Sequence, residues 1–363
     1  MTSVLFVDDE PDVLNGLRNR LRRHRREWDM HFVVGGQLAL DLLEHTSFDI
    51  VVSDMRMPDV DGVAVLEAVR SRHPSSARIV LSGYADPAQQ LRAFEVAHQW
   101  LAKPCRGQAL QDVIGRLSTL KSWFADPDLE TLVGQAESLP AVPRIYHELL
   151  AVFADERSNA QDAAAVVMQD VSVSAAVLRA VNSAFFAHSR RVTNIGDAVV
   201  ILGEQKLGGL VLAAAATAVL SSEDRPLTEA FHRRGCRVAR LAEHIAPPAL
   251  ADDAFAAGLL HDIGLLIKAG DDSNHPRVGA YLLALWGLPV ELVQAVATHH
   301  DDPASFAAEL NVSSTVRLAD ALVRSHDTHH AEECAQHKAT AWTLAEHIGH
   351  TAQISLWHDA AAQ

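Results

Sequence analysis

The chain has 363 residues, 48% apolar and 21% charged, which suits folded domains and excludes a disordered or low-complexity protein. Thirty-one Lys and Arg against 46 Asp and Glu give a formal charge of −15, a sign that opposes direct binding to DNA or to an anionic membrane. Three scattered cysteines suit neither a disulfide framework nor a zinc knuckle. Asp8, Asp9 and Glu10 stand where a signal peptide needs basic and then apolar residues, and the longest uncharged run, Leu207–Leu220, is short for a membrane span. The expectation is a cytoplasmic protein of two domains, without membrane insertion.

In chain order, the first 120 residues alternate short β-rich runs with amphipathic helices. "VLFVDD", "HFVV", "DIVVSD", "RIVLSG" and "QWLAKP" are the runs; Val13–Arg23 and Val63–Arg70 are two of the helical patterns. Alternation of this kind predicts a doubly wound sheet of five parallel strands with helices on both faces. Ligands of such sheets collect at the carboxyl ends of the strands. Asp8, Asp9, Asp54, Ser82 and Lys103 each stand at or just past a strand end.

Acidic groups converging on one rim repel unless a cation joins them, and oxygen donors without thiols select Mg²⁺ or a similar hard ion. A lysine and a hydroxyl at the same rim can stabilise charge developing in phosphoryl transfer. The blocks "VLFVDDEP", "DIVVSDMRMPDVDG", "IVLSGY" and "WLAKP" resemble those of a response-regulator receiver domain. The resemblance covers residues 1–121 and implies a role for each motif residue. Asp54 would accept phosphate from a histidine kinase. Asp8, Asp9, Asp54 and the Arg56 backbone carbonyl would hold Mg²⁺. Lys103 matches the family's lysine, Ser82 its hydroxyl switch, and Trp100 the rotating aromatic, here an indole in place of Tyr or Phe. In "RNRLRRHRR", Leu14, Leu17 and Leu21 recur on one side of a helix, so its six arginines are read as a solvated face.

Beyond the polar break "ADPDLE", a linker over 122–131, long Ala/Leu/Val-rich helical patterns replace the strands: Arg144–Phe153, Ala160–Met168, Ala175–Val181 and Leu207–Leu220. Within them "GLLHDIG" places His261 and Asp262 in an apolar helix, and His275, His299, His300 and Asp320 are the downstream groups able to meet them. Buried polar groups need partners, so these are expected to converge. Cys236 is read as a small buried residue, Asn182-Ser183 as helix caps, and His326, His329, His330, His337, His347 and His350 as solvated.

The ordered blocks "ESLPAVPRIYHELL", "QDVSVSAAVLRAVNSAFF", "VTNIGDAVVILG", "FAAGLLHDIG", "HPRVGAYLLALWGLPVELVQAVATHHDDP" and "VRLADALV" resemble the HDOD domain, an HD-related helical output domain found behind receivers. The resemblance implies a multi-helical domain over 132–330, with a helical extension and tail over 331–363. Active HD relatives need a histidine on the helix before the His-Asp pair. On "AFHRRGCRVARLAEHIA", Phe231, Val238, Leu241 and Ile245 form the inward stripe. Arg234 lies on that stripe and His232 faces away. A guanidinium cannot ligate a metal but can pair with Asp262 or Asp320 through a fork. The expected site is therefore degenerate, without a transition metal, and its domain binds a protein partner or a nucleotide without turnover. Two alternatives stay open: a phosphorylation-gated metal phosphohydrolase acting on cyclic dinucleotides, and a scaffold in which phosphorylation controls homodimerisation.

Overall fold

A computed structural model describes residues 1–82, 92–93, 96–103, 107–123, 144–155, 157–181, 192–218, 225–266, 274–327 and 330–362. The chain divides into two compact units, one built mainly on Met1–Arg144 and the other mainly on Ile145–Gln363. The linker expected over 122–131 falls almost wholly outside the described residues, as do Asn182-Ser183 and His329.

The first unit runs β1 (Thr2–Asp8), α1 (Pro11–Leu21), β2 (Trp28–Val34), α2 (Gly36–Leu43), β3 (Ile50–Asp54), α3 (Gly62–Arg72), β4 (Ala77–Ser82), β5 (Gln99–Ala102) and α4 (Gly107–Trp123). All neighbouring strands are parallel, in the order β2-β1-β3-β4-β5. β3 is buried at every position and β1 at all but one, as strands with helices on both faces must be. Leu5, Val7, Val51, Val63, Leu66 and Val69 form part of one core layer, and Leu14, Leu17 and Leu21 bury the inner side of α1. Arg18, Arg20, Arg22, Arg23, Arg25 and Arg26 are all exposed. The chain reverses its winding between β1 and β3, so the carboxyl ends of these two strands flank the switch point where such sheets open a crevice. Register pairs Val7 with Ser53, which sets Asp8 and Asp54 side by side.

Gly62 ties the loop after β3 back under the strand, its N–H donating to the Met55 carbonyl at 3.1 Å. A Cβ at this position would lie 1.8 Å from the Asp54 carbonyl oxygen.

The helices that follow make up the second unit, except that Tyr281–Leu285 of α11 groups with the first: α5 (Arg144–Ala154), α6 (Ala160–Val167), α7 (Val171–Val181), α8 (Ile195–Ala218), α9 (Arg225–Ile245), α10 (Ala251–Leu260), a short turn over Ile263–Leu266, α11 (His275–Leu285), α12 (Val290–Thr298), α13 (Val312–Asp327), α14 (Ala331–His347) and α15 (Ile354–Ala361). Among the described residues no strand follows Ala102. Asn159 and Asp162 close a reciprocal capping box on α6, and Gly203, at φ 71°, kinks α8. The inward stripe of α9 is buried at Phe231, Val238, Leu241 and Ile245. Cys236, expected inside, is exposed, because it follows Gly235 onto the side of α9 turned from that stripe. Of the C-terminal histidines, His326, His330 and His347 are exposed and His337 and His350 half-buried.

α9 and α10 approach through glycines. A Cβ at Gly235 would lie 2.8 Å from the Leu259 carbonyl oxygen, and one at Gly258 would lie 2.9 Å from the Ala239 Cα. The contact matters because Arg234 precedes one glycine and His261-Asp262 closely follows the other.

Gly62→Ala is expected to lower the stability of the first unit by about 2–3 kcal/mol, since backbone must move to admit the methyl group. The midpoint and amplitude of its urea transition measure this.

Candidate functional site

Two clusters of buried charge stand out, one in each unit. At the β1/β3 switch point, Lys103, just past β5, places Nζ 2.5 Å from Asp54 Oδ1 and 2.7 Å from Asp8 Oδ2. The Arg56 N–H donates to Asp54 Oδ2 at 3.0 Å and the Glu10 N–H to Asp8 Oδ1 at 3.0 Å. Asp9 follows Asp8 at the same rim, half-buried. Burial raises the Asp54 carboxyl above its ordinary range and the Asp8 charge adds to this, against the pull of Lys103 and the Arg56 N–H. Burial also opposes the Lys103 charge, but its bonds to Asp54 and Asp8 prevail and raise it. Ser82 ends β4 opposite Ala102 and Trp100 lies in β5 opposite Val80; their side chains are outside the described residues. The oxygen donors at this rim fit a hard divalent ion: Asp8 and Asp54 converge on one lysine, whose single charge leaves one carboxylate unbalanced.

The second cluster gathers six sequence-predicted residues. His261 and Asp262 end α10, His275 opens α11, His299 and His300 follow α12, and Asp320 sits mid-way along α13. His261, Asp262, His299 and Asp320 are at most 1% exposed. Glycines again bring the elements together: a Cβ at Gly264 would lie 2.0 Å from the His275 carbonyl oxygen. His261 Nδ1 and His299 Nδ1 lie 2.7 Å from the Gly258 and Val296 carbonyl oxygens, so their Nε2 atoms turn toward the carboxylates. His275 Nε2 is 3.1 Å from Asp262 Oδ1 and 3.3 Å from His299 Nε2. His300 Nε2 is 3.6 Å from Asp320 Oδ2. His261 Nε2 lies 3.3 Å from Asp262 and 3.4 Å from Asp320, yet it forms an aligned hydrogen bond with neither.

Arg234 Nη1 donates to Asp262 Oδ2 at 3.1 Å, a single bond where the sequence suggested a fork. The closer grip on a carboxylate comes from another arginine, through one shared N–H and not a fork. Arg324, absent from the sequence reading, donates Nε to both Asp320 oxygens at 2.8 and 2.9 Å and sets Nη2 3.5 Å from Asp262 Oδ1. Its signal was present in "DALVR": an acid four residues before an arginine on a helix is a favourable pair. The side chain of His232 is outside the described residues.

The donor chemistry gives a divided answer on a transition metal. His261, Asp262 and His299 bring ligand atoms within 4.8 Å of one another, and so do His275, His299 and His300. The imidazoles fit such an ion. The carboxylates as placed do not, because both are bound by guanidinium groups.

Residues 4–115 match the response regulator receiver domain, 139–270 the HDOD domain and 235–325 the HD domain. The first unit is thus a receiver of the flavodoxin-like, doubly wound class. As a whole, the chain joins a response regulator receiver domain to an HDOD/HD domain. Over 227 residues it is 26% identical to an uncharacterized protein of Treponema pallidum (strain Nichols), covering 54% of this chain and 44% of that protein. The chain spans about half the length of the first curated relatives it matches. The signal receiver domain of an HD domain-containing protein from Pseudomonas fluorescens Pf-5 is 26% identical, covering 34% of this chain and 98% of that one at a TM-score of 0.31. A putative phosphohydrolase from Shewanella amazonensis SB2B is 26% identical, covering 64% and 96% at a TM-score of 0.47. No helix among the described residues is long and apolar enough to cross a membrane.

Burial opposes ionisation of His261, but Asp262 and Asp320 raise it from 6.5 to about 9. Burial lowers His299 to about 4, against the pull of Asp262. Burial also disfavours the Asp262 and Asp320 anions, yet His261 beside the first and Arg324 beside the second hold both well below 3.8. The signs follow. The His261 contribution to stability is complete below pH 6.5 and is lost as pH rises through about 9. Below pH 6.5 the unfolded chain takes up a proton that folded His299 refuses, so stability falls toward pH 4. His261→Asn is expected to flatten the alkaline limb of urea midpoint against pH, and His299→Asn the acid limb; an unchanged alkaline limb in His261→Asn would refute the assignment.

Proposed function

We propose that this protein is a phosphorelay response regulator in which Asp54 takes a phosphoryl group from a histidine kinase and the HDOD/HD domain acts as a non-catalytic output. One observation carries the reading: Lys103 bridges Asp54 and Asp8 at the switch point. A carboxylate oxygen of Asp54 attacks the phosphorus of the donor phosphohistidine, the P–N bond breaks, and an acyl phosphate forms while the imidazole leaves. Lys103 would follow the new phosphoryl oxygens, and the Arg56 N–H would keep the carboxylate oriented. Asp8, Asp9, Asp54 and the Arg56 carbonyl would hold Mg²⁺, which when bound neutralises charge on the transferring group. Ser82 and Trp100 would register the phosphate, whose added charge shifts a two-state equilibrium of the domain.

The organisation we favour is a receiver over 1–121, a linker over 122–131, the output domain over 132–330 and a helical extension over 331–363, in the cytoplasm. The output domain would engage a protein partner, with a nucleotide ligand or homodimerisation as further routes; the charge of −15 argues against direct DNA contact. Its buried site holds two carboxylates against two guanidinium groups and the raised His261, so the carboxylates are balanced without a metal. A second reading, a metal-dependent phosphohydrolase, draws support from the buried His261 Nε2, which lacks an aligned hydrogen bond.

With acetyl phosphate and Mg²⁺, the full chain is expected to gain one phosphoryl mass by intact mass spectrometry. Asp54→Asn is expected to gain none, and Lys103→Ala to lose most of the rate. Uptake retained in Asp54→Asn would overturn the assignment. For the output site, stoichiometric transition metal in the dialysed wild type, together with cyclic-dinucleotide hydrolysis that vanishes in His261→Ala, would install the second reading instead.

A further inference from the structure

The reading of the output site as cation-balanced by arginine began with Arg234, on the helix where an HD enzyme needs a histidine. The geometry assigns the larger part to a different residue. Arg234 reaches only Asp262, through one nitrogen, and its Nε is buried without a hydrogen-bond partner. Arg324 reaches both carboxylates, gripping Asp320 with Nε at 2.8 and 2.9 Å and facing Asp262 with Nη2 at 3.5 Å. We propose that Arg324 is a second, independent lock on this site, so that restoring a histidine at position 234 does not by itself restore metal binding. The inference rests on the non-catalytic reading above.

Charge arithmetic supports it. With the imidazoles counted as neutral, as metal ligation requires, Asp262 and Asp320 contribute −2 and Arg234 and Arg324 contribute +2. A divalent ion entering the wild-type site would leave an excess of two positive charges around carboxylates at most 1% exposed, where uncompensated charge is costly. With Arg234→His alone the excess falls to one, and Arg324 still occupies both oxygens of Asp320. Only with both arginines neutralised does a divalent ion exactly balance the carboxylates. Imidazoles are then at hand in His261, His275, His299 and His300.

The lock has a geometric basis as well. Asp320 and Arg324 are one turn apart on α13, so their pairing survives any adjustment of α9. The Arg234 bond, in contrast, exists only while α9 and α10 stay packed through Gly235 and Gly258. Losing the weaker clamp therefore leaves the stronger one in place.

The test uses the full chain in four forms: wild type, Arg234→His, Arg324→Gln and Arg234→His/Arg324→Gln. Each is incubated with Zn²⁺ or Mn²⁺, dialysed into metal-free buffer and assayed for bound metal by plasma mass spectrometry, with the shift of thermal midpoint on metal addition as a second readout. The expected result is less than a tenth of an equivalent in wild type and both single variants, and about one equivalent with a raised midpoint in the double variant. Should Gln at 324 cost the fold, Arg324→Met, which keeps the volume of the side-chain stem, takes its place. Hydrogen exchange at the Arg324 Nε–H of the wild type gives an answer independent of any variant: slow exchange is expected, and exchange at the rate of a free guanidinium overturns the proposal. A full equivalent of metal in Arg234→His alone, or none in a folded double variant, also overturns it. Metal in the wild type would instead sink the non-catalytic reading on which it stands, so the two failures are distinct.

Discussion

Two carboxylates cannot be buried side by side without positive charge between them, and each unit of this protein is organised around that requirement. In the sheet unit, Asp8 and Asp54 meet because parallel register sets the ends of β1 and β3 together, and Lys103 supplies one cation. In the helical unit, Asp262 and Asp320 arrive from different helices and two arginines supply the balance. The difference in stoichiometry bears on function. A single lysine against a carboxylate pair leaves room for an incoming ion and a phosphoryl group. A pair of guanidinium groups, with His261 raised beside them, leaves the carboxylates of the helical site with no charge for a further cation to balance.

Burial then decides how these charges behave. Desolvation works against the ionised forms of Asp54, Lys103, Asp262, Asp320 and Arg324, and partners overcome it unevenly. Asp54 stays raised even with Lys103 on it, because burial and the Asp8 charge outweigh that pull. Asp262 and Asp320 are driven the other way, toward permanent ionisation. His261 and His299 have rings 5.0 Å apart yet shift in opposite directions: burial disfavours both cations, but the first lies between both carboxylates, while the second also faces His261 and His300.

Much of this was legible in the chain. The alternation of "VLFVDD", "DIVVSD" and "RIVLSG" carries strand, face and polar rim at once, because in parallel sheets the residue that ends the strand is the residue that enters the crevice. His261, Asp262, His275, His299, His300 and Asp320 could be listed from the sequence as groups needing partners, and Arg234 from the stripe of its helix. Arg324 was missed for a physical reason: in an apolar helix, an arginine near the C-terminal end reads as a solvated or dipole-compensating residue, and only the neighbouring helices show that it turns inward. Cys236 was misplaced for the reverse reason. Its small apolar side chain suggests burial, but the adjacent Gly235 takes the packed position and leaves the thiol outside. The glycines themselves, at 62, 235, 258 and 264, carry no pattern in a single sequence, since what requires them is a backbone from a distant segment.

The one-turn spacing of Asp320 and Arg324 has a further implication for how the helical unit assembles. A helix that bears its own counter-ion can enter an apolar interior as an electrically neutral cylinder, with the ion pair formed during coil-to-helix conversion and not at docking. Within its own segment Asp262 has only the His261 imidazole beside it, and its guanidinium partners come from other helices. Assembly around α13 can thus precede closure of α9 over α10, which is what brings the Arg234 guanidinium to Asp262.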